Sequence, residues 1–371
     1  MKRVQQARPD AVLHSSLADP TFSAELIAWQ KRHGRHSLPW QNTRDAYRVW
    51  LSEIMLQQTQ VSAVIPYYRR FLERFPDCAS LAAAPGEDVM ALWSGLGYYS
   101  RARNLHQCAK DVMARHGGKF PSDPALLAEL PGIGRSTAAA IAAFSYGTRA
   151  AIMDGNVKRV FARVFAIDGF PGDKAVENVM WQRAEALLPE HDLEAYTQGL
   201  MDLGATVCTR GKPDCAACPF APRCLARQQG RAAELPAKKP KKAVPEKSTA
   251  MLVLVHRGQV LLEQRPDRGI WGGLLSLPEF DTAEASLVQR LQHAAESYGE
   301  SDGYTALTPF SHAFTHFKLH VAPYRVDLTR RHAELREPGM VWFDAARLAD
   351  APLPAPVKKL LLAVFGGGGL F

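Results

Sequence analysis

A crowded set of cysteines is the feature that most limits how this chain can fold. Four of the six cysteines lie within 17 residues, in the pattern Cys-x6-Cys-x2-Cys-x5-Cys: Cys208, Cys215, Cys218 and Cys224. Zinc sites usually present two close pairs of ligands separated by a longer insert, whereas these four thiols share one compact loop. Thiolates are soft ligands that suit iron–sulfur groups, so the spacing favours a loop folded around one [4Fe–4S] cluster. Such clustering also indicates a reducing compartment, where disulfides are rare.

Length and charge narrow the class of protein further. A chain of 371 residues is long enough for two or three domains, and 47% hydrophobic with 22% charged residues is typical of a globular protein. No apolar run approaches the roughly 20 residues of a membrane span, and the N-terminal segment lacks the apolar core of a secretory signal. We expect a loose tail over residues 1–20. A formal charge of +8 is compatible with a polyanionic partner such as nucleic acid.

The spacing of apolar residues predicts helices up to the cysteine loop. One helix is predicted over 22–34, helix-length apolar patterns separated by Pro and Gly follow from 44 to 165, and two more helices are predicted over 174–204. One helix face in this region gathers five apolar residues: Val157, Val160, Phe161, Val164 and Phe165. The sequence therefore predicts an all-α region ahead of the cysteine loop.

The composition changes after the cysteine loop. Residues 229–247 are rich in Lys and Pro, which predicts a basic linker whose KKPKK run is either a solvated connector or a contact for phosphates. Beyond it, the sequence contains two strands joined near Arg257-Gly258, the strand-like segments LHVAPYRVDL and GMVWF, and a helix near 283–298. This part of the chain is predicted to be an α+β domain.

The segment LPGIGRS, residues 130–136, places a glycine turn directly before a helical pattern. A dinucleotide-binding fingerprint would need a third glycine in register and a preceding strand, and the sequence has neither at this place. Two interpretations stay open. The turn is a plain connection between helices, or it is an anion site in which the free N–H groups of the new helix bind a phosphate of the DNA backbone.

Two carboxylates stand in contrasting sequence settings. Glu53 has apolar neighbours and shares a helix face with Gln57, so burial would raise its pKa, although an exposed glutamate on an amphipathic helix fits the pattern equally well. Asp154 stands at the entrance to the next helix, either as a simple N-cap or, if Asn156 is the cap, as an ionised group available for chemistry. Cleavage of a glycosidic bond requires two carboxylates with opposite pKa tuning.

The glycine turn, an aspartate 20 residues after Gly134 and the cysteine spacing together resemble the endonuclease III superfamily of helix-hairpin-helix DNA glycosylases. Within it, SEIMLQQTQV, GLGYYSRARNL, MDGNVKRV and MDLGATVC resemble the adenine DNA glycosylase (MutY) family, over residues 21–345. The resemblance implies a multidomain fold, an all-α glycosylase with a cluster loop followed by an α+β Nudix-like domain. The implied divisions are a tail (1–20), an iron–sulfur cluster helical domain (21–45 and 151–228), a six-helix barrel domain with the hairpin (46–150), a basic linker (229–248) and a Nudix-like domain (249–371).

The resemblance also implies an activity and the residues that perform it. The enzyme would be a monofunctional DNA glycosylase of base excision repair that removes adenine mispaired with 8-oxoguanine or guanine in double-stranded DNA. Glu53 matches the catalytic acid, Asp154 the group that stabilises the sugar cation, and Asn156 a residue that orients this centre. Trp40 and Gln198 fall where the family lines the adenine pocket, and the four loop cysteines match the ligands of one [4Fe–4S] cluster.

DNA contacts are implied at several places in the helical region. Tyr98 matches a wedge that intercalates beside the lesion, although ordinary helix-edge packing would also explain it, and Gln57 and Gln58 match a loop that fills the gap. A phosphate contact is implied at three hairpin residues: Gly132, Gly134 and Ser136. Ser136 stands where the lyase members of the superfamily carry a catalytic lysine. An endonuclease III-type bifunctional enzyme acting on oxidised pyrimidines, the nearest alternative, would need that amine.

The C-terminal region resembles a Nudix-like domain in WGGLLSLPEF and FSHAFTHFKLH. Phe314, Thr315 and His316 match a loop that reads 8-oxoguanine, with Thr315 at a position where many relatives have serine. The nearby histidines could instead be core residues or metal ligands. The segment EASLVQRLQHAAESYGE lacks the clustered glutamates of a working Nudix hydrolase, so we expect no pyrophosphatase activity.

Location and further partners are expectations that follow from the same resemblance. The enzyme is expected to be cytoplasmic and nucleoid-associated in a bacterium, to act as a monomer and to have no membrane partner. The C-terminal FGGGGLF is either a frayed tail or, through Leu370 and Phe371, a hook for a partner such as a replication clamp.

Overall fold

The computed structural model describes residues 17–239, 244–266, 269–282, 286–314, 316–332 and 338–366. Several predictions therefore lie outside the described residues: most of the tail over 1–20, part of the linker (240–243), Thr315 and the last five residues of the chain. The chain divides into two compact units. The first unit combines Met1–Gln58 with Asp111–Pro240, and the second combines Thr59–Lys110 with Lys241–Phe371. The predicted domain boundaries stay a prediction.

Helices occupy the described chain up to the linker, as the periodicity predicts. In chain order they are α1 (Pro20–His33), α2 (Ala46–Leu56), α3 (Val61–Arg74), α4 (Cys78–Ala83), α5 (Gly86–Trp93), α6 (Ser100–His116), α7 (Pro124–Ala128), α8 (Arg135–Tyr146), α9 (Gly155–Val164), α10 (Lys174–Ala186), α11 (Leu193–Asp202) and α12 (Leu225–Gln228). A π-helix over Leu203–Val207 continues α11 directly. Among the residues described, no helix is long and apolar enough to cross a membrane.

Short acidic side chains fix where two helices of the first unit begin. Asp45 accepts hydrogen bonds from the backbone N–H groups of Tyr47 and Arg48 and starts α2. Asp154 caps α9 in the same way. Carboxylates at these positions satisfy N–H groups that have no partner within the helix and interact favourably with its dipole. The cap of α9 therefore also fixes the position of one predicted catalytic carboxylate.

An aromatic core joins α1, α9 and the loop that carries the cysteines. Phe22 stacks on Phe220 with ring centroids 4.2 Å apart, and Phe161 packs edge-on against Phe22 at 6.0 Å. Four of the five residues predicted on the inner face of α9 are buried, whereas Phe165 follows the helix end and is partly buried. This core holds the helix that starts at Asp154 against the cysteine loop.

Strands dominate the chain after the linker. In chain order the elements are β1 (Glu246–His256), β2 (Gln259–Gln264), β3 (Leu275–Ser276), β4 (Glu279–Phe280), α13 (Leu287–Tyr298), β5 (Gly299–Ser301), β6 (Thr305–Ala306), β7 (Phe310–Ala313), β8 (Lys318–Arg331), β9 (Met340–Asp344) and α14 (Ala355–Phe365). The long strands β1 and β8 run parallel in a mixed sheet of order β3-β2-β1-β8-β5, and β9 pairs with β2. This arrangement agrees with the predicted α+β domain.

A tight hairpin joins β1 to β2 at the predicted position. Arg257 and Gly258 both adopt left-handed backbone conformations, with φ of 42° and 77°. Two consecutive left-handed residues form a turn whose twist matches that of paired antiparallel strands. The hairpin brings Leu254 and Leu261 into one buried core with α13.

Both ends of the predicted linker, residues 229–248, include residues that belong to described structural elements or packing. Leu235 is buried and belongs to the core of the first unit. Strand β1 already begins at Glu246. Lys238 and Lys239, by contrast, are exposed, as the charge run predicts.

Candidate active site

Glu53 lies on α2 beside three buried apolar residues. Trp50, Ile54 and Met55 are each at most 2% exposed, and Glu53 itself is partly buried. Burial raises the pKa of Glu53 to about 8, and the nearby negative charge of Asp154 acts in the same direction. Glu53 therefore holds a proton at neutral pH, unlike an ordinary exposed glutamate on an amphipathic helix.

Asp154, rather than Asn156, is the N-cap of α9. Its Oδ1 atom accepts hydrogen bonds from the N–H groups of Asn156 (2.9 Å) and Val157 (2.8 Å), and its Oδ2 atom accepts one from Nδ2 of Asn156 (3.2 Å). The helix dipole predicts a lowered pKa, but burial outweighs these bonds and the charge of Arg159, so the pKa of Asp154 is raised. Because Asp154 has these stabilising partners, the negative charge of the pair resides on Asp154 and the proton on Glu53.

Arg159 connects the Asp154 site to the cysteine loop. Its Nη2 atom donates to Oδ1 of Asn156 at 2.7 Å and to the carbonyl of Gly204 at 2.6 Å. Its Nε atom donates to the carbonyl of Cys208 at 2.7 Å. Arg159 is not among the predicted site residues, although its i+3 spacing from Asn156 places both on one helix face and is a signal for it.

The π-helix touches the active site through a glycine. A Cβ atom at Gly204 would come within 2.4 Å of Cβ of Asn156, closer than real Cβ atoms approach. The missing side chain therefore permits the contact that lets Arg159 reach the Gly204 carbonyl. π-Helical turns within helices are frequent at functional sites.

Ser136 supports the active site from the glycine hairpin, residues 130–136. Its Oγ atom accepts a hydrogen bond from the backbone N–H of Met153 at 2.9 Å. Ser136 thus ties the start of α8 to the segment that presents Asp154. Its predicted phosphate contact stays a prediction, but the hydroxyl oxygen already has this internal partner.

The glycine hairpin joins α7 to α8. Gly132 is left-handed, with φ of 79°, a conformation that glycine adopts without strain. Gly134 precedes α8, and within the described chain no side chain caps that helix, which leaves its first N–H groups for an anion. Gln57 reaches this turn from the end of α2, with its Nε2 atom 3.5 Å from the Gly132 carbonyl and 3.5 Å from Oγ1 of Thr137.

The two residues predicted to line an adenine pocket are held in different ways. Trp40 is buried in the segment between α1 and α2, at 8% exposure. Nε2 of Gln198 donates to Oδ1 of Asp202 at 2.8 Å. Asp202 is fully buried and also accepts from the Arg35 side chain at 2.6 Å and the Arg35 backbone N–H at 2.8 Å. Asp202 therefore orients Gln198, a role that the local sequence does not reveal.

All four predicted cluster ligands line one small cavity of the first unit. Burial raises the pKa of Cys218 to about 12, and the charges of the other three cysteines act in the same direction, so the four sulfurs lie near one another. On the side of α9, Arg163 donates from Nη1 to Sγ of Cys208 at 3.4 Å. The structure thus brings the four cysteines together around a shared space.

Four soft sulfur donors around one cavity suit an iron–sulfur group. Across the described ranges, no group of three or more His, Cys, Asp or Glu side chains is arranged so that it could hold a metal ion.

Two predicted DNA contacts adopt backbone conformations that are unusual for residues with side chains. Gln58 has φ of 57° and Tyr98 has φ of 51°. Tyr98 is 47% exposed, and the buried Arg101 lies 5.4 Å from its ring and donates to the Gly97 carbonyl at 3.0 Å. An exposed ring on a strained residue, held by a buried arginine, favours a functional role over ordinary helix-edge packing.

A cleft within the second unit brings Tyr98 near the predicted lesion-reading loop. It measures about 620 Å³ and is lined by several aromatic residues, among them Tyr98, Trp271, Phe314 and His316. Trp271 lies 5.7 Å from Phe314 between ring centroids. His316 is exposed and is thus not a core residue. Aromatic rings around an open space suit a flat ring system as ligand.

Two family descriptions match separate parts of the chain. Residues 51–186 match the HhH-GPD superfamily base excision DNA repair proteins, and residues 249–363 match the NUDIX domain. The first match contains Glu53, the glycine hairpin and Asp154, and the second contains the mixed sheet. Fold and site together define a base excision DNA repair enzyme of the helix-hairpin-helix class with an appended NUDIX domain.

Relatives match the chain over nearly its whole length. The adenine DNA glycosylase of Buchnera aphidicola subsp. Schizaphis graminum (strain Sg) is 36% identical over 342 residues, 92% of this chain and 97% of that protein. The adenine DNA glycosylase of Homo sapiens is 33% identical over 399 residues, 91% of this chain and 73% of that protein. A solved thermostable thymine-DNA glycosylase matches with a TM-score of 0.50 at 27% identity, over 56% of this chain and 96% of that one.

The chain belongs to the adenine DNA glycosylase family. This membership confirms the predicted family, the predicted fold class and the predicted enzyme class, a DNA glycosylase that hydrolyses N-glycosyl bonds. The assignment of individual site residues stays a prediction that rests on their geometry.

Proposed function

We propose that the enzyme removes adenine mispaired with 8-oxoguanine or guanine in double-stranded DNA, by hydrolysis of the N-glycosidic bond. The observation that carries this proposal is the pairing of a protonated Glu53 with the hydrogen-bonded Asp154 at the start of α9. The relatives named adenine DNA glycosylase support adenine as the base removed.

Glu53 and Asp154 have different roles in this reaction. Glu53 holds a proton at neutral pH because its pKa is about 8, so it can donate that proton to the departing base. Positive charge then develops on the sugar, and the carboxylate of Asp154 stabilises it. Asn156 and Val157 fix the oxygens of Asp154 in advance, so little reorganisation is needed as the charge forms. The deprotonated Glu53 finally accepts a proton from the attacking water.

The target adenine has to leave the base stack before Glu53 can reach it, at a cost of roughly a few kcal/mol. We assign Trp40 and Gln198 to the pocket that receives the base. The support is that Asp202 holds the Gln198 amide in one orientation, because an oriented amide can distinguish donors from acceptors on a base edge.

Contacts to the DNA backbone and to the opened base step are assigned to two loops. The turn at Gly132 and Gly134 binds a phosphate through the uncapped N–H groups at the start of α8. Tyr98 fills the step that the adenine leaves, since its ring is already exposed. Gln57 and Gln58, which follow the catalytic helix, contact the partner strand.

Cleavage of the DNA strand is not part of the proposed reaction. A lyase requires an amine that forms a Schiff base with the sugar, and Ser136 offers none. The Ser136 oxygen accepts from Met153, and the ammonium group of Lys158, near Asp154 in sequence, lies 2.8 Å from Glu177. These partners favour simple base release over an endonuclease III-type lyase activity.

Recognition of 8-oxoguanine is assigned to the aromatic cleft of the second unit. Phe314 and Trp271 line this cleft, and the exposed His316 adds a polar group to it. The part played by Thr315, which lies outside the described residues, stays a prediction from the sequence. The NUDIX domain is proposed to serve recognition only, because α13 carries a single carboxylate, Glu296.

We propose one [4Fe–4S] cluster as the cofactor, held by the loop cysteines Cys208, Cys215, Cys218 and Cys224. The support is their common cavity and the soft character of four sulfur donors. Such a cluster, when bound, keeps the sulfurs as thiolates and holds the loop in one conformation. Iron analysis of the purified chain tests this: about four iron atoms per chain are expected, and an iron-free chain would contradict it.

We further propose a cytoplasmic, nucleoid-associated location in a bacterium and a monomeric state, supported by the +8 charge and by the clustered cysteines, which favour a reducing compartment. The same proposal includes a contact between the C-terminal segment FGGGGLF and a replication clamp. The residues of this segment after Gly366 lie outside the described residues. If removal of Leu370 and Phe371 changes no clamp pull-down, the contact is refuted.

Base release from defined duplexes tests the activity. Adenine:8-oxoguanine and adenine:guanine duplexes are compared with adenine:thymine and cytosine:8-oxoguanine controls, before and after treatment with alkali. We expect adenine release from the first two duplexes, with a strand break only after alkali. A break without alkali would support a bifunctional enzyme, and no adenine release from either mispair would refute the proposed substrate.

A further inference from the structure

Arg163, a residue of α9 that is 2% exposed, gathers backbone carbonyls from two separate segments. Its Nη1 atom donates to the carbonyl of Thr209 at 2.7 Å and its Nη2 atom to that of Arg210 at 3.3 Å, both in the cysteine loop. Its Nε atom donates to the carbonyl of Leu235 at 2.9 Å, at the start of the chain that leads to the C-terminal domain. One guanidinium thus fastens both segments.

The buried guanidinium of Arg163 has no negatively charged side chain as its ion-pair partner among the described residues. In the part of the chain that the structure describes, no carboxylate forms an ion pair with Arg163, and its described bonds run to carbonyls and to one sulfur. Carbonyl dipoles satisfy N–H groups but provide no net charge, and burying an uncompensated charge is costly. The sulfur, Sγ of Cys208, lies 3.4 Å from Nη1 and faces the shared cavity.

We propose that Arg163 makes the anchorage of the interdomain linker depend on the iron–sulfur cluster. This inference rests on the cofactor proposed above. Four thiolates with their iron place negative charge beside the guanidinium and hold it in the interior, where it also holds the Leu235 carbonyl. Without that charge, the guanidinium is drawn towards water and releases Leu235. The cysteine loop thereby determines whether Leu235 stays anchored in the first unit.

Release of Leu235 can be detected through backbone hydrogen bonds in the segment that precedes it. The N–H groups of Glu234 and Leu235 donate to the Arg231 carbonyl at 3.0 Å and 3.2 Å. The Leu235 side chain is 3% exposed and packs in the core of the first unit. If Leu235 leaves its site, these amides lose protection from hydrogen exchange, while the distant core helices keep theirs.

Hydrogen exchange of the full-length chain, followed by mass spectrometry, tests the proposal. The samples are the iron-loaded wild type, the same protein after oxidative removal of iron, Arg163→Gln and Arg163→Lys. Arg227→Gln is the matched control, because Arg227 is an exposed arginine near the same cysteines. Its guanidinium donates to the Ala221 carbonyl at 2.8 Å, so its bond stays within the loop. Iron content and visible absorbance are recorded for every sample.

Exchange at the amides of residues 231–235 is expected to be about ten-fold faster in Arg163→Gln and in the iron-free wild type than in the loaded wild type. Arg163→Lys keeps the charge and is expected to change less, and Arg227→Gln should match the wild type. Iron-loaded Arg163→Gln with unchanged exchange would refute the anchorage, whereas a wild type that never contains iron would refute the proposed cofactor. If Arg163→Gln does not load iron, the iron-free wild type decides, since unchanged exchange there overturns the dependence on the cluster.

Discussion

The hydroxyl oxygen of Ser136 lies 2.9 Å from the backbone nitrogen of Met153 and accepts its hydrogen bond. Ser136 stands in the first turn of α8, and Met153 immediately precedes Asp154. The hairpin proposed to hold a DNA phosphate is thus bonded directly to the segment that carries Asp154, the proposed catalytic carboxylate. A phosphate held there would keep a fixed distance from Asp154.

Replacing Ser136 with alanine is expected to lower the rate of base release while leaving duplex binding nearly unchanged. The lost hydrogen bond is worth about 1 kcal/mol, which corresponds to a roughly five-fold lower single-turnover rate if it serves the transition state. Ser145→Ala is the matched control, because Ser145 is buried on the same helix and its hydroxyl has no hydrogen-bond partner among the described residues. Equal effects of both substitutions on the rate would contradict the positioning role.

Glu53→Gln is expected to abolish most base release because glutamine cannot donate the proton. Loss of a general acid typically lowers the rate by about 100-fold to 10,000-fold. Duplex binding should persist, since the amide keeps the shape of the side chain. Glu190→Gln serves as the control, because Glu190 is a 77% exposed glutamate paired with Arg149 at the surface. Substantial turnover by Glu53→Gln in a single-turnover assay would overturn the assigned acid role.

The pH dependence of base release follows from the raised pKa of Glu53. The protonated form is the active one, so the rate should fall as the pH rises through about 8. Well above that pH the fall should approach roughly ten-fold per pH unit. A single-turnover rate profile from pH 6 to 10 measures this, and a profile that stays flat to pH 10 would be incompatible with Glu53 as the acid.

Gly204→Ala is expected to lower the rate of base release strongly and to lower the melting temperature only slightly. The added Cβ atom would meet Asn156 at 2.4 Å and displace the partner of Asp154. Misplacement of a catalytic group by about 1 Å can lower the rate roughly 100-fold. Gly211→Ala is the matched control, because a Cβ atom at Gly211 would meet nothing within 4 Å among the described atoms. Both rates and melting temperatures are measured, and unimpaired release by Gly204→Ala would show that Asn156 tolerates the shift.

Tyr98→Asn is expected to weaken base release from mispaired DNA without destabilising the protein. Asparagine tolerates the left-handed backbone at this position, where Tyr98 has φ of 51°, but it lacks the ring that fills the opened step. The free energy of unfolding should change by less than about 1 kcal/mol, and base release should slow about ten-fold. Tyr304→Asn is a control on another tyrosine that is 41% exposed in the same unit. A rate equal to that of the wild type would remove Tyr98 from the wedge role.

Features determined by a few neighbouring residues could be predicted from the sequence. The hairpin between β1 and β2 forms at Arg257 and Gly258, and the glycine turn at Gly132 precedes a helix, because both depend on local backbone geometry. Asp154 also lies where the pattern placed it, at a helix start. These elements carry their signal in the residues that form them.

Partners that are distant in the chain could not be predicted in this way. The bond from Arg35 to Asp202 joins residues 167 positions apart, and the bond from Arg163 to Leu235 joins residues 72 positions apart. Periodicity identifies the face of a helix but not what that face meets. The choice between a buried acid and an exposed glutamate at Glu53 also depended on tertiary packing, which is why the sequence left it open.

The π-helix between Leu203 and Val207 makes the length of this segment as important as its composition. The N–H group of Cys208 donates to the carbonyl of Leu203, five residues back, at 2.7 Å, so this turn holds one residue more than an α-helical turn. Deletion of one residue would restore the α-helical turn and rotate the following chain by roughly 100°, carrying Cys208 away from the other cysteines. Ala205 and Thr206 are exposed. Their side chains can therefore be exchanged, whereas an insertion or deletion beside them would break the alignment of the active site with the cysteine loop.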